Sequence, residues 1–302
     1  MENPTAEATE APATKVPALV RAAAWRLTSS GIDTGLLDAE VLLAHVLGVR
    51  RENLLMDAGT PIDDAQMRAY ERLIARRLER EPTAYITGKR EFWSVDIQVT
   101  RDVLIPRPET ELLVEVSLAV VAQGRFTEPV KILDLGTGSG AVAVALATEL
   151  GGAKIVATDI STAALAVAAG SAMSNGVAGR IRFIQGDLFD ALDKPERFDL
   201  IVSNPPYIRR ADIDGLERDV SLWEPRGALD GGVDGLDYYR RIAAQILSYL
   251  APHGAAVVET GAGMGAAVAA IFKQRADGAE VELHKDYAGN ERAVVVRLVS
   301  RS

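Results

Sequence analysis

A tetrapeptide with two prolines between an amide and a phenol is the part of the chain best suited to chemistry. It is Asn204-Pro205-Pro206-Tyr207, and it ends the apolar run that starts at Phe198. Proline lacks an N–H and fixes its own φ, so this loop is rigid, and the Asn204 side-chain oxygen and the Pro205 carbonyl can face outward as acceptors. Two fixed acceptors suit a planar NH2 group, on which the Tyr207 ring can pack. The stretch therefore predicts a site that binds and orients an amide or an aromatic amine.

A glycine-rich loop precedes this stretch and runs directly into an Ala-rich helix. Its residues are Gly136, Thr137, Gly138, Ser139 and Gly140. Glycine lets a backbone turn sharply and approach a ligand closely at the carboxyl edge of a parallel sheet. A GxG pattern alone is weak, because plain strand-to-helix packing also uses it.

Acidic residues end the next two strands predicted after this loop. Asp159 ends IVATD, where its carboxylate can accept from both hydroxyls of a ribose or can cap the helix beginning near Ser161. Asp187 is either a turn residue or an acceptor for an adenine amino group, with Leu188 covering the ring. Together these strand ends favour an adenosine-type ligand. Asp134 suits a cation better than a phosphate, and the GxGxG spacing differs from the GxGxxG of dinucleotide sites, which points to S-adenosylmethionine.

The elements that must position these residues alternate from residue 130 onward, with short apolar runs separated by helical stretches. This alternation predicts an α/β fold with a parallel sheet and helices on both of its faces. The last two runs, VELHKDY and RAVVVRLV, are separated only by AGNE, which predicts an antiparallel hairpin at the sheet edge.

The rest of the chain divides by pattern. Residues 1–15 are small and polar and predict a disordered tail, and residues 82–108, punctuated by Pro and Gly, predict a β-hairpin linker to a domain over 109–302. Residues 16–81 repeat apolar side chains every three to four positions and predict a bundle of three helices.

The helix limits and the apolar stripe are also predicted from the pattern. The first helix carries Trp25 on its apolar stripe and stops near Gly31, the second ends at Gly48, and Asp63 or Asp64 caps the third.

Composition argues against several classes of protein. The 302 residues contain no cysteine and three widely separated histidines, so neither disulfides nor a metal site is predicted, and a reducing, cytoplasmic setting fits. No apolar run approaches the ~20 residues that span a bilayer, so we expect no membrane segment. A formal net charge of −9 argues against stable, extended binding to nucleic acid, which depends on Lys and Arg neutralising phosphates.

The motifs together resemble the class I S-adenosylmethionine-dependent methyltransferases. Within them the chain is similar to the protein glutamine N5-methyltransferases that modify peptide chain release factors, over nearly its whole length after the tail. The most specific shared motifs are LIPRPETE (Leu104 to Glu111) and EPRGALDGG (Glu224 to Gly232). The resemblance implies a seven-stranded, mostly parallel Rossmann-like methyltransferase sheet and an N-terminal helical domain that docks the release factor. It also implies methyl transfer to the glutamine of the factor's Gly-Gly-Gln motif.

The same resemblance implies a role for each motif residue. The cofactor S-adenosylmethionine would be held by Gly136, Thr137, Gly138, Ser139, Gly140, Asp159, Asp187, Leu188 and Asn204. The glutamine amide would be held by Asn204, Pro205, Pro206 and Tyr207, which are the catalytic candidates, while Glu224 and Arg226 order a loop over the pocket. Two positions depart from the family pattern: Ser94 follows EFW where glycine is common, and Met264 stands where glutamine is frequent.

Three other functions are compatible with these residues. An adenine-N6 methyltransferase for nucleic acid needs the same two acceptors, but it must flip its base and normally carries a basic recognition domain. A ribosomal-protein glutamine methyltransferase would share the site and differ in its docking domain. A non-catalytic binding protein would bind the cofactor without transferring a methyl group, and the intact motifs argue against it.

Overall fold

The chain forms two compact units, Met1–Thr87 and Gly88–Ser302. The computed structural model describes residues 16–56, 61–124, 126–192, 196–275 and 278–298. The tail predicted for residues 1–15 lies outside the described residues. Within these ranges, no helix combines the length and the apolar character needed to cross a membrane.

The first unit is helical, as its periodicity predicts. Its described helices are α1 (Val16–Ser29), α2 (Gly35–Leu47), α3 (Arg51–Met56), α4 (Asp64–Leu78) and α5 (Thr83–Thr87). Gly48 ends α2 in a left-handed conformation with φ of 66°. Asp63 caps α4 by accepting from the Gln66 N–H at 2.8 Å, while the Gln66 side chain accepts from the Asp63 N–H at 3.0 Å. The three predicted helices and their end signals are therefore confirmed as α1, α2 and α4, whereas the short helix α3 was not predicted.

The apolar stripe predicted on α1 is wrong in one respect. Trp25 is 72% exposed, whereas the core of this unit receives Val16, Val20, Ala23 and Leu27. In an Ala-rich helix several stripes satisfy the three-to-four spacing, and the stripe with the larger β-branched and leucine side chains is the one that is buried.

The second unit begins with an antiparallel hairpin of β1 (Lys89–Phe92) and β2 (Val95–Gln98). It is shorter than the predicted range 82–108, because the Pro82 carbonyl accepts from the Ile86 N–H and starts α5 instead. Trp93 and Ser94 form the hairpin turn with φ of 51° and 58°. Glycine adopts positive φ without strain, so the serine at position 94 occupies a conformation that favours glycine.

A seven-stranded sheet forms the centre of the second unit, and its order is β5-β4-β3-β6-β7-β9-β8. The strands are β3 (Lys131–Leu135), β4 (Lys154–Asp159), β5 (Ile181–Gln185), β6 (Phe198–Ser203), β7 (Leu250–Glu259), β8 (Ala279–Lys285) and β9 (Glu291–Leu298). Neighbouring strands from β5 to β7 are parallel, and β9 is antiparallel to both β7 and β8. The predicted α/β sheet with an antiparallel C-terminal hairpin is confirmed.

Helices connect and cover these strands. They are α6 (Glu111–Gln123), α7 (Ala141–Glu149), α8 (Thr162–Ser174), α9 (Arg218–Ser221), α10 (Asp237–Tyr249) and α11 (Gly265–Arg275). Buried side chains of α10 and α11, such as Ile242 and Phe272, form one apolar cluster with Leu133 and Ile201 of the central strands.

The strand order creates one preferred ligand position. The chain proceeds from β3 outward through β4 to β5 and then returns to the other side of β3 with β6. Ligands of open α/β sheets bind outside the carboxyl ends of the strands at such a switch point. Here the glycine loop leaves β3 and the Asn-Pro-Pro-Tyr stretch leaves β6, so both predicted motifs flank it.

Candidate active site

A cavity of about 400 Å³ opens at this switch point. The predicted residues that line it are Gly136, Thr137, Gly138, Ser139, Asp159, Asp187, Leu188, Asn204 and Pro206. Three further candidates, Gly140, Pro205 and Tyr207, lie outside the lining set, and Pro205 is buried. The strand ends that were predicted to share an edge therefore meet around one space.

The glycine loop presents its backbone to this cavity. Gly136, Gly138 and Gly140 have φ of 71°, 56° and 81°, a region that glycine enters without strain. A Cβ built on Gly136 or Gly138 meets no atom within 4 Å, so these positions face open space. A Cβ on Gly140 would lie 3.0 Å from the Cβ of Ala168, so this third glycine allows α7 and α8 to pack closely.

Asp159 connects the glycine loop to the start of α8. Its Oδ2 accepts from the Gly138 N–H at 2.9 Å, and its Oδ1 accepts from the Ser161 N–H at 2.9 Å. The helix cap itself is Ser161, whose Oγ accepts from the Ala164 N–H at 3.1 Å. The alternative role of Asp159 as the N-cap of α8 is therefore wrong.

Asp134 is buried beneath the loop and is 2% exposed. Burial raises the pKa of its carboxyl to about 7, and the nearby charge of Asp159 also raises it. A hydrogen bond from the Thr137 hydroxyl at 2.7 Å opposes this rise. A cation bound in the cavity would favour the ionised form of this acid.

Asp187 lines the cavity but already has a partner in the protein. Its Oδ2 lies 2.7 Å from Nη2 of Arg241 on α10, and both side chains are about two-fifths exposed. Such a solvent-exposed ion pair contributes little to stability, and it leaves the other carboxylate oxygen of Asp187 available to a ligand. Tyr238, from the same helix, also lines the cavity and was not predicted from the sequence.

Asn204 is oriented by a hydrogen bond away from its own loop. Its Nδ2 donates to Oγ1 of Thr110 at 3.1 Å, and Thr110 is 4% exposed. Because the amide oxygen lies on the other branch of the side chain, this bond leaves Oδ1 as the atom that Asn204 can offer to a ligand. Asn204 therefore has a positioning partner that sequence reasoning missed, and its role as an acceptor for a ligand stays a prediction.

Tyr207 is held by a closely packed wall beside the cavity. A Cβ built on Gly261 would lie 2.9 Å from Cδ2 of Tyr207 and 2.8 Å from Sδ of Met264, so only glycine fits between them. Met264, one of the two departures from the family pattern, therefore belongs to the wall that supports Tyr207. Burial raises the pKa of the Tyr207 phenol, and the charge of Glu259 raises it further, so the phenol is protonated at neutral pH.

Two loops that border the cavity are joined by an ion pair. Nη2 of Arg107 lies 2.6 Å from Oε1 of Glu224, whose side chain is 1% exposed. Arg107, Pro225 and Gly227 line the cavity. This arrangement agrees with a loop over the pocket that Glu224 orders. In contrast, Arg226 pairs with the exposed Asp214 at 2.7 Å.

The charges around the cavity indicate the kind of ligand it suits. Its lining contains four acids (Asp102, Asp134, Asp159 and Asp187), and Arg107 is the sole cationic side chain in the described lining. A polyphosphate would be repelled by this set, whereas a ligand with a positive charge, hydroxyls and amino groups would find acceptors.

Comparisons with known proteins agree with this architecture. Residues 18–88 match the family model of the PrmC N-terminal domain, and residues 110–216 match that of the methyltransferase small domain. The release factor glutamine methyltransferase of Bordetella pertussis is 47% identical over 262 residues, covering 86% of this chain and 94% of that protein. Its counterpart from Cereibacter sphaeroides is 44% identical over 280 residues, covering 92% and 97%.

A solved structure shares the fold at low identity. The hMettl16 catalytic domain, crystallised with an RNA hairpin, is 15% identical with a TM-score of 0.54, covering 76% of this chain and 83% of that one.

Proposed function

The chain belongs to the release factor glutamine methyltransferase family, and we propose that it methylates the side-chain amide nitrogen (N5) of a release factor's Gly-Gly-Gln glutamine, using S-adenosylmethionine. One observation carries the proposal: the open glycine loop and the oriented Asn204 amide border the same cavity at the switch point. Family membership supports the class of substrate, and the geometry of the site supports the way in which we propose that it is bound.

The cavity fits the proposed cofactor by its donors, acceptors and space. S-adenosylmethionine supplies an electrophilic methyl group on a positively charged sulfur. In this proposal Asp159 accepts from the ribose hydroxyls, and Asp187 and Leu188 flank the adenine. The residues that wrap the cofactor are Gly136, Thr137, Gly138 and Ser139, and Gly140, which lies outside the cavity lining, completes the turn. The acidic lining supports a cationic ligand, and the open positions at Gly136 and Gly138 leave room for one.

The remaining residues bind and orient the substrate amide. Asn204 Oδ1 and the Pro205 carbonyl each accept a hydrogen bond from one N–H of the amide, which fixes the direction of the nitrogen. The Tyr207 ring packs on the planar amide group. An amide nitrogen is a poor nucleophile because its lone pair is delocalised, so orientation and exclusion of water are the main contributions of the protein. Its proton becomes acidic as positive charge develops on nitrogen, and no strong base is required.

We assign docking of the release factor to the first unit and place the reaction in the cytoplasm. This unit exposes Trp25, Leu36 and Leu37 at 72%, 55% and 44%. Exposed apolar side chains on neighbouring helices favour a surface that binds another protein.

A labelling experiment tests the proposed substrate directly. The enzyme and labelled S-adenosylmethionine are offered a release factor, the same factor with its motif glutamine replaced, ribosomal protein, and adenine-containing DNA. We expect label in the unaltered factor alone. Label in ribosomal protein or DNA instead would overturn the substrate, and cofactor binding without any transfer would indicate a non-catalytic protein.

A further inference from the structure

A second buried acid lies behind Asn204 and has no role in the function described above. Glu259 ends β7 and is 2% exposed. Within the described part of the chain its Oε2 has no hydrogen-bond partner. An unsatisfied buried carboxyl oxygen is costly to keep, so its presence beside a site calls for a physical explanation.

The Thr110 hydroxyl links this acid to the predicted amide-binding residue. It accepts from Asn204 Nδ2 at 3.1 Å and interacts with the Glu259 carboxyl through its own hydrogen bond. A hydroxyl has a single proton to donate, and an ionised carboxylate can only accept. The Thr110 proton is therefore directed to Glu259, which leaves an oxygen lone pair for Asn204.

The direction of this chain of hydrogen bonds determines which end of the Asn204 amide meets a ligand. We propose that Thr110 and Glu259 are positioning residues that keep Nδ2 of Asn204 turned inward and Oδ1 available to the substrate. The inference rests on the proposed function, in which Oδ1 accepts from a glutamine N–H. If the Asn204 amide were flipped, it would occupy nearly the same volume but would present its Nδ2, a donor, to the N–H of the glutamine, which is also a donor. Packing alone therefore cannot select the active orientation.

Protonation of Glu259 would remove this selection, because a neutral carboxyl can donate as well as accept. Burial raises the pKa of Glu259 to about 7, and the charge of Glu109 also raises it. Hydrogen bonds from Thr110 and Asn204 and the charge of Arg292 oppose the rise. The phenol groups of Tyr207 and Tyr239 also face this region, and the Tyr239 hydroxyl donates to the Glu259 backbone carbonyl at 3.0 Å.

The sign of the resulting pH dependence follows. The carboxyl is ionised and the amide is held in its active direction above about pH 7, and both are lost as the pH falls through that value. We therefore expect kcat to fall on the acidic side. It is measured at saturating S-adenosylmethionine, because Asp134, whose pKa is also raised to about 7, loses its charge over the same range and weakens the binding of a cationic cofactor.

Three substitutions with little change in side-chain size test the inference. Thr110→Val removes the hydroxyl, Thr110→Ser keeps it, and Glu259→Gln removes the ionisation. We expect Thr110→Val to lower kcat at least about tenfold, the loss of roughly one hydrogen bond in the transition state, without a matching change in cofactor Kd. Thr110→Ser should recover most of the activity, and Glu259→Gln should remove the acidic limb of the kcat profile.

A second readout separates this inference from the proposed function. The side-chain NH2 signal of Asn204, assigned by its loss in Asn204→Ala, is followed by NMR in each variant. We expect protection from solvent exchange in the wild type and Thr110→Ser, and loss of protection in Thr110→Val, whether or not methyl transfer is observed. Unchanged protection in Thr110→Val, or full kcat in that variant, would overturn the inference; a wild type without methyl transfer would overturn only the proposed function.

Discussion

Replacement of Arg107 by methionine should leave the buried carboxylate of Glu224 without its charged partner, and the resulting loss of stability can be estimated. Glu224 has a side chain that is 1% exposed, and its Oε1 lies 2.6 Å from the guanidinium of Arg107. Burial raises the pKa of Glu224, and the charge and hydrogen bond of Arg107 counter that rise. Arg107→Met keeps much of the aliphatic stem but removes the charge and the hydrogen bond of Arg107, and only the hydrogen bond from the Ile105 backbone is left to oppose the rise.

The loss of stability has an upper limit, because the unpaired Glu224 carboxylate can bind a proton instead of remaining charged. Protonating a carboxyl of ordinary pKa 4.5 at about pH 7 costs 1.36 × 2.5, or about 3.4 kcal/mol. At about pH 5 the same arithmetic gives about 0.7 kcal/mol. In Arg107→Met the pKa of Glu224 in the folded state is raised above its value in the unfolded chain. The stability of the variant is therefore fully present below the unfolded pKa and is lost as the pH rises. We therefore expect Arg107→Met to lose up to about 3 kcal/mol near pH 7 and less than about 1 kcal/mol near pH 5.

Chemical denaturation at both pH values measures this loss. Addition of Glu224→Gln to Arg107→Met should restore much of the stability, because no charge is then left unpaired. The matched control is Arg226→Met on the loop that carries Glu224. The partner of Arg226, Asp214, is 82% exposed, so this change should alter stability by no more than about 0.5 kcal/mol. A loss that is independent of pH, or a double variant as unstable as Arg107→Met, would refute the reasoning.

Two further predictions concern the cavity walls. Asp159→Ala should raise the Kd for S-adenosylmethionine at least about tenfold by calorimetry, since it removes a charged acceptor and frees the Gly138 N–H. The exposed Asp190→Ala should leave Kd unchanged, and equal affinity in both variants would limit Asp159 to supporting the loop. Gly261→Ala should lower turnover, because the added Cβ would lie 2.9 Å from the Tyr207 ring. Gly151→Ala, whose Cβ meets no atom within 4 Å, is its control, and full turnover in Gly261→Ala would mean that the Tyr207 position is unimportant.

The strands and much of the site could be predicted because they depend on local pattern. Short β-branched runs separated by helical stretches dictate a parallel sheet, and the carboxyl ends of parallel strands meet at one edge. Asp159, Asp187 and Asn204 each follow such a strand, so their convergence on one cavity follows from topology. The same reasoning applies to Glu259 at the end of β7, and the strand-end acid in VVET was a usable signal.

Other features depend on contacts between distant parts of the chain. Arg107 and Glu224 are 117 positions apart, and Thr110 and Asn204 are 94 apart, so no local pattern indicates either pair. The exposure of Trp25 likewise depends on which of several possible stripes α1 buries against its neighbours. These features require the packed structure, because burial and hydrogen-bond partners are decided by tertiary contacts.

The most direct test of the account is to locate the methyl group in the product and to compare the wild type with Asn204→Ala. Tandem mass spectrometry identifies the modified atom of the release factor, and calorimetry measures cofactor affinity in parallel. We predict one methyl group on the side-chain nitrogen of the Gly-Gly-Gln glutamine with the wild type. Asn204→Ala should bind S-adenosylmethionine with nearly unchanged affinity but transfer no methyl group. A methyl group on a different residue, or an Asn204→Ala variant that remains active, would contradict the account.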